Sequence, residues 1–227
     1  MELHFIVAGL TIVLIDLLLG GDNAVVIAMA VRALSPSQRR AGIIIGSGLA
    51  VALRVALTFF AAELLRSKYI QLAGGVVILW IAIKLFADAE PEEEGKSAPS
   101  FWRAIWLIVV ADITMSTDNV LAIAAASKGN LALLIFGLGL SIPLVVFTST
   151  LLSKLMDRYP VIIYIGAGIL GRVGGDMIMT DAIVEQNLHP GAPLRYAVEA
   201  ACAAGVVVVG LLWARRRHRR KTSDQAI

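Results

Sequence analysis

Seven stretches of roughly 20 predominantly apolar residues follow one another along the chain, at about 4–30, 41–63, 69–87, 102–126, 131–153, 160–180 and 196–214. A helix needs about 20 such residues to cross the hydrocarbon core of a bilayer. Because a spanning segment must satisfy its own backbone there, runs of this length are helical. The expected fold is an all-α membrane protein with seven transmembrane helices. Composition agrees, with 58% of the residues apolar and 16% charged, where soluble domains carry about 25% charged. Mean hydropathy is +0.81. A single cysteine, Cys202, leaves no internal disulfide framework or Cys-rich metal site, and His4, His189 and His218 are too scattered for a zinc cluster. The first run carries acids and opens Met1-Glu2-Leu3-His4 without basic residues, which argues against a cleaved signal peptide.

Lys and Arg accumulate in cytoplasmic loops. An outside N-terminus places Arg32, Arg39, Arg40, Lys84, Lys96, Arg103, Lys154, Arg158 and the tail 215–221 on the cytoplasmic side, and leaves Arg66, Lys68, Lys128 and Arg195 outside. The expected topology is N-out and C-in, in a bacterial inner membrane. The net charge of +3 then reflects anchoring to anionic lipid, at about 1 kcal/mol per basic residue near the surface, and not a nucleic-acid partner. Segment 88–100 is rich in acids and reads as a solvated linker that can also concentrate cations at a cytoplasmic mouth.

Residues 16–30 (DLLLGGDNAVVIAMA) recur as residues 112–126 (DITMSTDNVLAIAAA) at a constant offset of 96. Asp16 matches Asp112, Asp22 matches Asp118 and Asn23 matches Asn119. Apolar letters agree by chance; acids within membrane spans do not. The chain divides into a first three-helix repeat (1–87), the linker (88–100), a second repeat (101–181), an external loop with a seventh helix (182–214) and a basic tail (215–227). An odd number of spans per unit makes the repeats inverted. Secondary transporters are commonly built this way, with their sites near the midplane where the repeats meet.

Each charge at the bilayer centre costs about 2.5–3.5 kcal/mol on insertion scales. Asp16, Asp22, Asp112 and Asp118 must therefore be protonated, paired or neutralised by bound cations. The bases within the spans are Arg54, Lys84 and Arg172. Together with Asp176 they are candidates for a gate or proton relay, and their plainer roles are counter-ion, snorkelling residue or, for Arg172 and Asp176, a pair along one helix face. On an unbroken helix, Asp16 and Asn23 lie about 10.5 Å apart and Asp22 points away from Asp16. One ion reaches all three only if the helix opens. Gly20-Gly21 suits a break, and Ser116-Thr117 in the second copy suits a hydroxyl-induced bend. The ligands offered by Asp16, Asp22, Asn23, Asp112, Asp118 and Asn119 are oxygens, which suit hard dications such as Mn²⁺, Ca²⁺ or Mg²⁺. Asp22 and Asn23 facing Asp118 and Asn119 would supply two carboxylates and two amide oxygens. Gly42, Gly46, Ser47, Gly48, Gly166, Gly168, Gly171, Gly174 and Gly175 are expected to permit close helix packing.

These residues carry a resemblance. Asp16…Gly20-Gly21-Asp22-Asn23-Ala24, its echo Asp112…Ser116-Thr117-Asp118-Asn119-Val120, and Gly166-Ala167-Gly168-Ile169-Leu170-Gly171…Gly175-Asp176 with Asp181 resemble the TerC-like integral membrane family, particularly its YjbE branch, within the LysE superfamily of transporters. The resemblance covers roughly residues 3–212 and implies export of a metal ion, above all Mn²⁺, from bacterial cytoplasm, with the two Asp-Asn elements as ligands. No prosthetic group is expected. The expected partners are the divalent cation, protons exchanged against it and the bilayer, with a homodimer left open. A competing class is a scaffold for metalation or biogenesis of exported proteins. Another is an intramembrane aspartyl protease, which Leu19-Gly20-Gly21-Asp22 fits poorly and in which the Asn after each acid has no role. The expected protein is not an enzyme.

Overall fold

The computed structural model describes residues 2–60, 69–88, 100–127 and 130–224, and every regular element among them is helical. In chain order these are α1 (Glu2–Leu19), α2 (Gly21–Val31), α3 (Pro36–Phe59), α4 (Ile70–Asp88), α5 (Phe101–Ser127), α6 (Leu131–Arg158), α7 (Val161–Thr180), α8 (Ala182–Leu188) and α9 (Ala192–Asp224). Most of the acidic linker, residues 89–99, lies outside the described residues, as do the side chains of the basic tail.

Among the described residues five helices are long and apolar enough to cross a membrane: Pro36–Phe59, Ile70–Ala87, Leu131–Arg158, Val161–Thr180 and Ala192–Trp213. Val7–Leu17 and Gly21–Val31 pass the same test when taken together and are bent by 56° where they join, which makes six if the pair is one span. Alongside them α5 has 27 residues and is about 40 Å long at 1.5 Å per residue. Large apolar side chains such as Phe147, Trp102, Trp106 and Val209 point outward, as lipid contact requires and water would not favour.

The helix ends follow local chemistry. Pro36 opens α3 at a first-turn position where its missing N–H costs nothing. The Asn130 side chain accepts from the Leu133 N–H at 3.1 Å and caps α6. Asp181, 2% exposed, caps α8 through the Ile183 N–H at 3.0 Å, and its other oxygen takes the Leu72 N–H at 3.0 Å. It thus pins the α7–α8 corner to the start of α4. His189 ends α8 in the left-handed region at φ 42°.

Helix contacts come in matched pairs. α3 packs on α5 while α6 packs on α1 and α2, and α4 touches α5 while α7 touches α2. α4 meets α7, α3 meets α6, and α9 covers the α4–α7 seam. One core joins Ile78, Ile81, Phe86, Ile108, Met156 and Leu170, and a smaller one joins Ile12, Ile123, Leu133, Leu134 and Leu138. At the α4–α7 crossing, a Cβ on Gly75 would lie 2.6 Å from the Gly174 carbonyl oxygen, so only glycine lets the two backbones approach this closely. The expectation of close packing fails at Gly48 and Gly168, where an added Cβ would meet open space. Those two glycines turn away from the helix contacts.

Candidate functional site

The break between α1 and α2 falls on Gly20, whose backbone leaves the helical region (φ −106°, ψ 13°). Its N–H still donates to the Asp16 carbonyl at 2.8 Å, while its own carbonyl accepts from Asn23 N–H at 3.1 Å. A Cβ at this position would sit 2.5 Å from the Asp16 carbonyl oxygen, 3.1 Å from Asn23 Nδ2 and 3.4 Å from Arg54 Nη1. Glycine is required here because three polar groups converge on the space a side chain would fill.

At Ser116-Thr117, where the sequence suits a bend, α5 runs on without a break like that at Gly20. The Ser116 hydroxyl instead accepts a hydrogen bond from Arg54 Nε at 3.1 Å. A hydroxyl pair also lacks the backbone freedom by which two glycines weaken a helix, at about 1 kcal/mol each.

Arg54 occupies the centre of this region. Its Nη1 donates to Asp16 Oδ1 and its Nη2 to Asp112 Oδ1 at 2.6 Å. All three side chains are buried, with exposures of 3% for Arg54, 1% for Asp16 and 3% for Asp112. The matched acids of the two repeats therefore meet on one guanidinium, whose flat fork can serve two carboxylates at once. Each carboxylate spends one oxygen on it. Asp16 Oδ2 and Asp112 Oδ2 are buried without a hydrogen-bond partner, as are both amide atoms of Asn23 and Nδ2 of Asn119. Buried polar atoms are nearly always satisfied, so these atoms stand out as having hydrogen-bonding capacity to spare. Asp22 is half-buried, accepts from the Asn23 N–H at 2.9 Å and lies within electrostatic reach of Arg54 and Asp112. Asn119 follows Asp112 by two turns on one face of α5. The Asp118 side chain lies outside the described residues. Among the described residues no group of three or more His, Cys, Asp or Glu is arranged to hold a metal ion. The oxygens on offer here come from two tied carboxylates, a third nearby and the Asn23 amide.

The remaining candidates sit elsewhere. Arg172 and Asp176 do not pair along α7. Arg172 Nε donates to Glu199 Oε2 at 3.0 Å and Asp176 Oδ1 accepts from Arg195 Nε at 2.8 Å. Both reach across to α9, which presents an acid and a base one turn apart, and the four charges zip the α7–α9 contact. Lys84 stands near the C-terminal end of α4 with its ammonium 4.4 Å from the Trp80 ring centroid, a cation–π contact. The sequence reading did not single out Asp157, which ties the end of α6 to Arg32 (3.3 Å) and Arg39 after α2. Its only sequence signal is an acid beside the basic loop ends.

A family model described as integral membrane protein TerC family matches residues 1–221. The chain belongs to the TerC family. Among the TerC-type relatives, the uncharacterized membrane protein YjbE of Bacillus subtilis (strain 168) is 45% identical over 181 residues, covering 80% of this chain and 83% of the relative. The UPF0053 inner membrane protein YgdQ of Escherichia coli (strain K12) is 26% identical over 187 residues, 74% of this chain and 78% of the relative. The uncharacterized membrane protein YceF of Bacillus subtilis (strain 168) is 28% identical over 160 residues. No solved structure matches this chain. Family membership and the apolar spans place this TerC-family chain in the bacterial inner membrane as a multi-pass protein.

Proposed function

We propose that this protein is a secondary transporter that exports a divalent metal cation, with Mn²⁺ the preferred candidate, from the cytoplasm by alternating access in exchange for protons. The observation that carries the reading is the buried Asp16–Arg54–Asp112 cluster, with its unpartnered carboxylate oxygens and the Asn23 amide beside a break in a membrane-spanning helix. Broken backbone at membrane depth is tolerated where it lines a cavity and coordinates a coupling ion or substrate. Oxygen donors of this kind suit hard dications. Asp16, Asp22, Asn23 and Asp112 would contact the cargo, joined by Asp118 and Asn119 from α5. The family resemblance points the same way.

Seven spans with N-out topology, as two inverted three-helix units and a seventh helix, accompany this reading. The exchange of partners between α1–α4 and α5–α7 supports it, because a pseudo-two-fold axis turns each cross-unit contact into another one. An aspartyl protease is disfavoured, since its two acids share a proton between themselves, whereas here a guanidinium stands between the pair.

The test is metal uptake into inverted membrane vesicles, with and without a pH gradient, by wild type, D118N and D112N. Uphill Mn²⁺ uptake that collapses the gradient, lost in both variants, is expected. Vesicles in which Mn²⁺, Ca²⁺ and Mg²⁺ all move no faster than in protein-free controls would refute the proposal.

A further inference from the structure

Around the break at Gly20 the described side chains hold three acids and one base. Asp16 and Asp112 are tied to Arg54, and Asp22 lies within electrostatic reach of Arg54 and Asp112. A guanidinium stays charged at any cellular pH, so its positive charge is a fixed part of the site. It engages Oδ1 of both aspartates and leaves Oδ2 of both, with both amide atoms of Asn23, buried and unpartnered. Pairing and ligation thus use different oxygens, and Arg54 need not leave for a cation to enter. The repeat does not duplicate this arrangement, because the position matching Arg54 at the offset of 96 is Thr150. One base therefore serves acids from both halves.

We propose that Arg54 is the resident counter-charge of the cargo site: it cancels one of the negative charges gathered there and holds the free oxygens of Asp16 and Asp112 ready to receive a dication. The assignment rests on the cation-transport reading above. Without Arg54 the site would be one charge too negative, gripping a dication too firmly to release it. Without Asp22 it would be one charge short.

The experiment is calorimetric titration of Mn²⁺ into the purified full chain in detergent, at 10 °C with folding checked by circular dichroism. R54Q is expected to bind at least tenfold more tightly than wild type and D22N at least tenfold more weakly. The R54Q/D22N double variant should return to within threefold of wild type, because its net charge is again that of wild type. A merely structural arginine would not give that reciprocal restoration. Affinity in R54Q equal to or weaker than wild type, or a double variant no closer to wild type than its parents, overturns the proposal. If R54Q fails to fold, R54K decides: it keeps the charge but not the fork, so binding should not tighten, and a tenfold gain in affinity over wild type refutes the assignment. Should wild type bind none of Mn²⁺, Mg²⁺ and Ca²⁺, the transport reading itself falls, an outcome distinct from a wild type that binds while R54Q is unchanged.

Discussion

Replacing Arg54 by Gln removes the one charge partner, among the described residues, of two buried carboxylates, Asp16 and Asp112. Removing one partner of a buried ion pair costs about 3–5 kcal/mol, which sets the expected loss at about 4 kcal/mol. At about 2–4 °C per kcal/mol for a chain of this size, the unfolding midpoint in detergent should fall on the order of 10 °C. The triple variant D16N/R54Q/D112N removes all three charges and should recover most of this. Thermal scans followed by intrinsic fluorescence at pH 7.5 read both midpoints. An R54Q midpoint within about 2 °C of wild type, or a triple variant no more stable than R54Q, would refute the reasoning.

Other sites give independent checks. G20V would push a side chain into the space shared by the Asp16 carbonyl, Asn23 and Arg54; vesicle uptake should drop at least tenfold while the protein still inserts, as judged by its level in washed membranes. G75V would drive α4 from the Gly174 backbone and, as overpacking, should cost about 1–3 kcal/mol, visible as a lower midpoint in the same thermal scans. D181A removes the cap on α8 and the partner of Leu72 N–H; two orphaned donors predict a loss of about 1–3 kcal/mol, which D181N should partly restore. D157N breaks an ion pair whose acid is 43% exposed, and its effect on the midpoint should correspond to less than about 1 kcal/mol.

The helical fold, the apolar spans and the break at Gly20-Gly21 were legible because each is a local property of a short stretch of sequence. The meeting of Asp16 with Asp112 was legible through repetition, since matched acids in two related units have an obvious place to converge. Arg54 was visible only as one of three intramembrane bases. Its contacts lie 38 and 58 residues away, and no periodicity distinguishes it from Lys84 or Arg172. The partners of Arg172 and Asp176 were missed for the same reason. Spacing along α7 offered a pair, but α9 brought Glu199 and Arg195 within reach. The unbroken α5 shows that repeat symmetry in sequence does not impose symmetry of backbone: a pair of glycines and a Ser-Thr pair respond differently to the same position in a fold.

The order of synthesis gives the three-way ion cluster a further consequence. Asp16 emerges from the ribosome first and Arg54 follows within the next helical segment, so the early half of the chain can neutralise this acid before the rest exists. Asp112 arrives later and finds a guanidinium N–H still free, so it enters the bilayer with a hydrogen-bonding partner and not as a lone charge, which would cost about 2.5–3.5 kcal/mol. Assembly is thereby steered: the late half gains most by docking against the early one at the depth where Arg54 waits.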